Sequence, residues 1–190
     1  MSETPLPNSI AEIAAYASNM HGYVKRRFIK REVCLGKSEH LPRARLMAVA
    51  SGGGHWEELM LLRPAIDEYE PLFVTTIEGL AKRDHIARVQ LLPDSNRDQP
   101  LAALRCLIAA FWLIRAHRPQ VLVTTGALPG LFCLFWARLF GARTIWVDSI
   151  ANFDGPSLSG RFAKPFANLW LTQWEHLADG KSIQFGGAVL

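Results

Sequence analysis

The 190-residue sequence predicts an α/β fold, a Rossmann-like parallel sheet with helices on both faces. Three observations carry this. From residue 45 onward, short apolar runs alternate with helical patterns. The runs are continuously apolar rather than alternating, as strands buried on both faces are. The first of them passes through Ser51-Gly52-Gly53-Gly54-His55 into a helical pattern, which reads as a strand, a tight turn and a helix start.

The composition fits a folded domain, with 49% apolar and 20% charged residues. Cys34, Cys106 and Cys133 are scattered and odd in number, which argues against a disulfide framework or a zinc site and for a reducing compartment. The first residues, Met1-Ser2-Glu3-Thr4-Pro5, lead into no basic and apolar signal pattern, so no secretory signal is expected.

In chain order, residues 8–31 read as an amphipathic helix. Ile10, Ile13, Ala17, Met20, Val24 and Phe28 recur at steps of three and four, Asn8 and Ser9 offer a cap, and the C-terminal half is basic. Two roles fit it: an interfacial membrane helix, or a helix packed on the domain or a partner. Residues 33–44 read as a polar linker broken by Gly36 and Pro42. The expected division is therefore a basic segment over 1–44 and a Rossmann-like domain over 45–190.

Within that domain a strand near 46–50 precedes a helix over about 55–69. A strand at 72–76 precedes a short helix around 80–88. Residues 89–92 fit a third strand closed by Pro93. A helix at 101–117, a strand at 121–125, a helix at 129–140 and a strand at 144–148 follow. A loop, a helix near 157–167 and a strand at 169–173 complete the pattern. The longest unbroken apolar runs, 106–114 and 127–137, are each followed by an arginine and fall short of the roughly 20 residues that span a bilayer.

Charge is unevenly placed. The net charge is +4, and residues 1–45 hold eight bases against four acids, so the whole excess lies there. Between Asp98 and Asp148 there is no acid but five arginines, at 105, 115, 118, 138 and 143. Basic residues beside apolar surface suit an anionic membrane face. No nucleic-acid motif accompanies them, and no nucleic-acid partner is expected.

Several chemistries fail on spacing. A dinucleotide fingerprint begun at Gly52 and Gly54 requires Gly or Ala where Glu57 stands, and a P-loop requires a lysine that is absent. No G-x-S-x-G elbow surrounds Ser149, and no H-E-x-x-H occurs. What remains is three polar loops at the carboxyl ends of strands, where open α/β sheets bind ligands: 51–55, 124–126 and 148–161.

At these loops the chain resembles a known family. Ser51-Gly52-Gly53-Gly54-His55, Thr124-Thr125-Gly126-Ala127, the run from Asp154-Gly155-Pro156-Ser157 to Arg161, Thr172-Gln173-Trp174-Glu175 and Gln184-Phe185-Gly186-Gly187 occur in the family's order and spacing. Together they resemble the PssD family of bacterial exopolysaccharide synthesis. That family is related to the membrane-anchoring half of the eukaryotic split UDP-N-acetylglucosamine transferase of dolichol-linked oligosaccharide assembly.

The resemblance implies the N-terminal half of a GT-B glycosyltransferase, related to MurG-like enzymes. It implies a polyprenyl-linked acceptor bound at the inner face of the membrane, and a peripheral protein on the cytoplasmic side of the plasma membrane. A separate catalytic, nucleotide-sugar-binding subunit would supply the other half, in line with the single Rossmann-like unit that the chain holds. The activity implied is transfer of a hexosyl or N-acetylhexosaminyl group from a UDP-sugar, with a non-catalytic anchor as the alternative. Neither a cofactor nor a metal ion is expected.

By the same resemblance Gly52, Gly53 and Gly54, with Ser51, lie near the diphosphates. His55 is a base or a phosphate contact, with a local hydrogen bond at the helix start as its plainer role. Thr124, Thr125 and Gly126 line the acceptor pyrophosphate. Asp148 is a catalytic alternative, and Ser149, Asp154 and Ser157 are polar contacts, Asp154 equally a turn residue before Gly155-Pro156. Arg161 holds a phosphate or makes a surface ion pair. Trp174 and Glu175 shape the partner interface or the chain end. Two features depart from the family: a basic amphipathic segment replaces the eukaryotic relative's spanning helix, and Asp148-Ser149 stands where relatives often have Glu-Ser.

Overall fold

A computed structural model describes residues 45–95 and 98–187. The amphipathic helix expected at 8–31 and the linker expected at 33–44 lie outside the described residues. The strands are β1 (Leu46–Val49), β2 (Leu72–Thr75), β3 (Val89–Leu91), β4 (Val121–Thr124), β5 (Arg143–Val147), β6 (Leu169–Thr172) and β7 (Ile183–Phe185). The α-helices are α1 (Gly54–Leu61), α2 (Arg63–Ile66), α3 (Leu80–Arg83), α4 (Pro100–His117), α5 (Ala127–Leu139) and α6 (Leu158–Ala163).

The strands form one sheet in the order β3-β2-β1-β4-β5-β6-β7, parallel at every pairing. The chain runs outward from β1 to β3 and returns to lay β4 beside β1, with Leu46 opposite Val121 and Val49 opposite Thr124. The strand order reverses there, and the loops after β1 and β4 part to opposite faces.

The inner strands β1, β2, β4, β5 and β6 are apolar on both sides because both sides are covered, whereas the edge strands β3 and β7 carry Gln90 and Gln184 and are partly exposed. Ala48, Phe73, Val123, Ile145 and Leu171 pack with Trp56, Leu59 and Ile66 of α1 and α2. Met47, Val49, Val74, Leu122 and Trp146 pack with Ala110, Ile114, Cys133 and Leu134 of α4 and α5. The Trp136 indole of α5 donates to the Leu107 carbonyl of α4 at 3.0 Å and meets Phe111 edge-on, fixing these two helices together. Outside, Arg83 joins Glu57 and Asp84, and Asp84 accepts from the Trp56 indole at 2.6 Å, tying α1 to α3. The Arg83 guanidinium holds the Asp84 carboxyl below its ordinary range.

Three expected helices are shorter in the structure, each for a local reason. The helix expected at 55–69 is divided at Leu62, because Pro64 has no N–H and its ring blocks continuation. The one expected at 80–88 ends at Arg83, where His85 takes a left-handed φ of 55° and Ile86 N–H donates to the Ala81 carbonyl. The one expected at 157–167 becomes a 3-10 turn at Lys164–Phe166, around Pro165. β7 was not expected. The Asp179 carboxylate accepts from the backbone N–H groups of Lys181, Ser182 and Ile183 and folds that segment onto β6.

Candidate active site at the sheet switch point

The site is built from the ends of β1, β4 and β5. β1 hands the chain to Gly53, which has a left-handed φ of 66° and caps α1 without any side-chain bond. His55 follows in the first turn and is 30% exposed. β4 ends in Thr124 and Thr125, both fully buried. Gly126 has a φ of 126°, and a β-carbon there would stand 3.0 Å from His55 Cε1. Glycine is thus required where the β4 loop passes the imidazole.

Two hydrogen bonds close the switch point. His55 Nδ1–H donates to the Thr125 carbonyl at 2.9 Å, and Thr125 Oγ1–H donates to the His55 carbonyl at 2.7 Å. A carbonyl oxygen only accepts, so Nδ1 carries the hydrogen and Nε2 is left as the acceptor of the ring. Thr124 Oγ1 accepts from Gly126 N–H at 3.2 Å, and a β-carbon at Gly130 would stand 2.2 Å from that oxygen. Both threonine hydroxyls therefore work inside the protein, shaping the β4 loop, and Gly126 is the residue of the three that opens toward His55.

β5 delivers Asp148 and Ser149, which are 3% and 9% exposed. Asp148 Oδ1 accepts from Ser157 Oγ at 3.0 Å, Asn152 Nδ2 at 3.2 Å and Trp146 Nε1 at 3.3 Å, and Oδ2 accepts from Ser157 N–H at 3.3 Å. Burial pushes the Asp148 carboxyl above its ordinary range, against the opposing pull of the Ser157 and Trp146 donors. Ser157 also accepts from Gly160 N–H at 2.9 Å and so caps α6. Asp148 organises the 148–160 loop from within. Gln173 Nε2 and Trp174 Nε1 brace the same loop by donating to the carbonyls of Asp148 and Ile150.

A cleft of about 440 Å³ opens over these loops, its lining made of the polar His55, Ser149, Asn152 and Ser157 together with apolar groups including Leu128 and Phe162. His55 is the one ionisable side chain among its described lining residues. Of the residues singled out in the sequence, His55, Ser149 and Ser157 meet in the cleft. Ser51 and Gly52 to Gly54 form the turn leading into it, and Asp148 stands behind it. Asp154 and Arg161 are exposed and are not in the lining.

One residue not singled out in the sequence belongs to this site. Glu58 is 6% exposed, and its Oε1 accepts from Ser149 Oγ at 2.7 Å and from Ile150 N–H at 2.9 Å. Its signal was available: an acid three residues after His55, on the helix face that carries Leu59 and Leu62 into the core.

The sequence pattern of the family described as "Oligosaccharide biosynthesis protein Alg14 like" matches residues 75–189. The chain is 25% identical over 165 residues to the UDP-N-acetylglucosamine transferase subunit ALG14 of Yarrowia lipolytica, covering 71% of this chain and 76% of that one. It is 34% identical over 89 residues to the subunit of the same name from Eremothecium gossypii, covering 40% of each. Among solved structures the fold is similar to Acinetobacter baumannii MurG, with a TM-score of 0.59, 12% identity, and 73% of this chain matched to 44% of that one. It is similar also to a UDP-N-acetylglucosamine 2-epimerase from Rickettsia bellii, with a TM-score of 0.61, 9% identity, and 77% matched to 45%. The chain thus spans under half the length of these solved structures and of the Eremothecium relative. The Rossmann-like architecture expected of a GT-B half is the one observed. The family match covers more than half of the sequence, and the chain belongs to the Alg14-like family of oligosaccharide biosynthesis proteins.

Proposed function

We propose that this chain is the acceptor-binding subunit of a two-component glycosyltransferase. With a nucleotide-sugar-binding partner it transfers a sugar from a UDP-sugar to a polyprenyl-linked acceptor at the cytoplasmic face of a membrane. Family membership and relatives named as transferase subunits support the class, and their name favours N-acetylglucosamine as the sugar. The resemblance to exopolysaccharide-synthesis proteins favours a bacterial polysaccharide as the product.

The observation that carries the reading is the state of His55. Its Nδ1–H is committed to the Thr125 carbonyl, so the acceptor nitrogen Nε2 belongs to the one ionisable side chain among the described residues of the cleft lining. In the reaction the acceptor hydroxyl gives its proton to Nε2 and its oxygen attacks the anomeric carbon of the donor sugar. The start of α1 at Gly53 and Gly54, where no side chain caps the helix, offers backbone N–H groups to a diphosphate. The apolar wall around Leu128 and Phe162 suits the first isoprene units of the acceptor.

Membrane association is supported by α4, the one helix among the described residues long and apolar enough to cross a bilayer. It packs on the domain through Cys106, Ala110 and Ile114 and exposes Leu101, Leu104, Ile108 and Trp112 on its outer side. Leu139 and Phe140 at the end of α5 are exposed too, Phe140 against Phe111 of α4, as are Arg105, Arg115, Arg118 and Arg138. A helix so placed lies along a membrane rather than through it.

A second reading, a membrane anchor that lends no catalytic group, is favoured by the inward-turned Asp148 and the buried Thr124 and Thr125. His55→Ala in the co-purified complex decides. Loss of about 10²- to 10⁴-fold in turnover is expected of a catalytic base, and turnover equal to wild type leaves the anchor. Transfer by the purified chain without a partner would refute the two-component arrangement.

A further inference from the structure

Glu58 stands one helical turn after His55 on α1 and divides its two oxygens between different tasks. Oε1 holds the loop after β5 through Ser149 and Ile150. Oε2 is buried, accepts no hydrogen bond from the described residues, and lies 3.8 Å from His55 Nδ1. That separation exceeds a hydrogen bond, and the Nδ1 hydrogen is already given to Thr125. The interaction is therefore one of charge with the ring. A carboxylate oxygen withdrawn from water with no donor is unfavourable unless positive charge forms beside it, and the imidazole is where charge forms if Nε2 takes a proton.

We propose that Glu58 is the positioning residue of His55, clamping the β5 loop to α1 through Oε1 and setting the charge of Oε2 against the imidazolium formed in the reaction. The proposal rests on the glycosyltransferase reading above. In the step it serves, the acceptor hydroxyl proton moves to Nε2, and the hydroxyl oxygen bonds to the anomeric carbon. The bond from that carbon to the nucleoside diphosphate breaks, and UDP leaves with the electron pair. Glu58 touches no reacting atom. Its Oε2 lies 3.8 Å from Nδ1, on the side of the ring where Thr125 fixes the orientation.

Glu58→Gln separates the two tasks, because the amide retains an oxygen for Ser149 and Ile150 and removes the charge. The test uses the full chain co-purified with its partner subunit, UDP-N-acetylglucosamine as donor, and a short-chain isoprenyl diphosphate-linked N-acetylglucosamine as acceptor probe. The expected result is a kcat lowered about 10- to 100-fold with acceptor KM within about twofold of wild type. In a His55→Ala background the same change is expected to lower kcat by less than about twofold, since a group acting through His55 has nothing left to act on. A kcat for Glu58→Gln within about threefold of wild type, or an equal fold loss in both backgrounds, overturns the proposal. So does loss of the complex itself in Glu58→Gln, which would make the residue a structural one. Undiminished turnover in His55→Ala alone strikes the base reading first, and is distinguished by that from a failure confined to Glu58.

Discussion

His55 and Thr125 hold each other by two hydrogen bonds across the switch point, imidazole Nδ1–H to carbonyl at 2.9 Å and hydroxyl to carbonyl at 2.7 Å. The first uses the Thr125 backbone, so no side-chain substitution at 125 removes it. Thr125→Val deletes only the second. About 1 kcal/mol of stability is expected to be lost, a fall of about 2–4 °C in thermal midpoint for a chain of this size. Because the imidazole keeps its anchor, turnover is expected to fall only a few-fold. A collapse in turnover like that of His55→Ala would show that the hydroxyl, not the carbonyl, sets the ring.

Gly126 and Gly52, in the loops after β4 and β1, differ in what they demand. Gly126 has a φ of 126°, and an added β-carbon would sit 3.0 Å from His55 Cε1 and 3.2 Å from Nδ1. Gly126→Ala therefore strains the backbone and pushes the imidazole, at a cost of about 1–3 kcal/mol. A β-carbon at Gly52 would meet Ile77 Cδ1 and stand 2.6 Å from its Cγ1, so that side chain, which is 46% exposed, must turn about its Cα–Cβ bond. Gly52→Ala is expected to cost less than about 1 kcal/mol. Urea midpoints of the two variants check the order, and equal midpoints would contradict it.

Asp148 gives a pH signature of known sign. Its carboxyl lies above the ordinary range in the folded protein, so the folded state binds that proton more tightly than the unfolded chain does. This contribution to stability is complete below the unfolded pKa. It is lost as pH rises from there through the raised folded value, and is level beyond. Asp84, held low by Arg83, acts with the opposite sign, so the useful quantity is the difference between wild type and Asp148→Asn. That difference in denaturation midpoint is expected to move toward the variant across this interval and to stay constant above it. A constant difference at all pH values would mean that burial does not govern the carboxyl.

Where the sequence was legible, the physics was local. Leu72–Thr75 and Val121–Thr124 are buried on both faces, and their continuous apolar runs say so. The turn at residues 51–54 announces itself through its glycines. β7 is three residues long, and Ile183, Gln184 and Phe185 show no apolar run; a carboxylate four residues upstream makes the strand. Pro64 was visible but reads as one interruption in a long helical pattern rather than as a boundary. Thr124 and Thr125 look like ligand contacts in sequence because burial is a property of the packed sheet, which alone turns their hydroxyls inward. Glu58 is visible in sequence as an acid one turn after His55, but its bonds to Ser149 and Ile150 lie more than ninety residues away, and no spacing rule reaches that far.

The outer face of α4 gives the last prediction. Leu104, Ile108 and Trp112 are 52%, 50% and 60% exposed, so acidic residues there should leave the core intact. If this face lies on lipid, each apolar side chain that it buries contributes about 1.5–3 kcal/mol, and each nearby arginine about 1 kcal/mol on an anionic surface. Ile108→Glu with Trp112→Glu is then expected to lower partitioning onto phosphatidylglycerol vesicles more than tenfold, since about 1.4 kcal/mol already gives tenfold. The measurement is co-sedimentation with vesicles, on the full chain and on a chain lacking residues 1–44, which separates the N-terminal segment from α4. Residual binding of the shortened chain should vanish in the double variant and weaken with salt in the parent. Equal binding of parent and variant in the shortened form would assign all membrane affinity elsewhere and leave the apolar stripe of α4 to a protein partner.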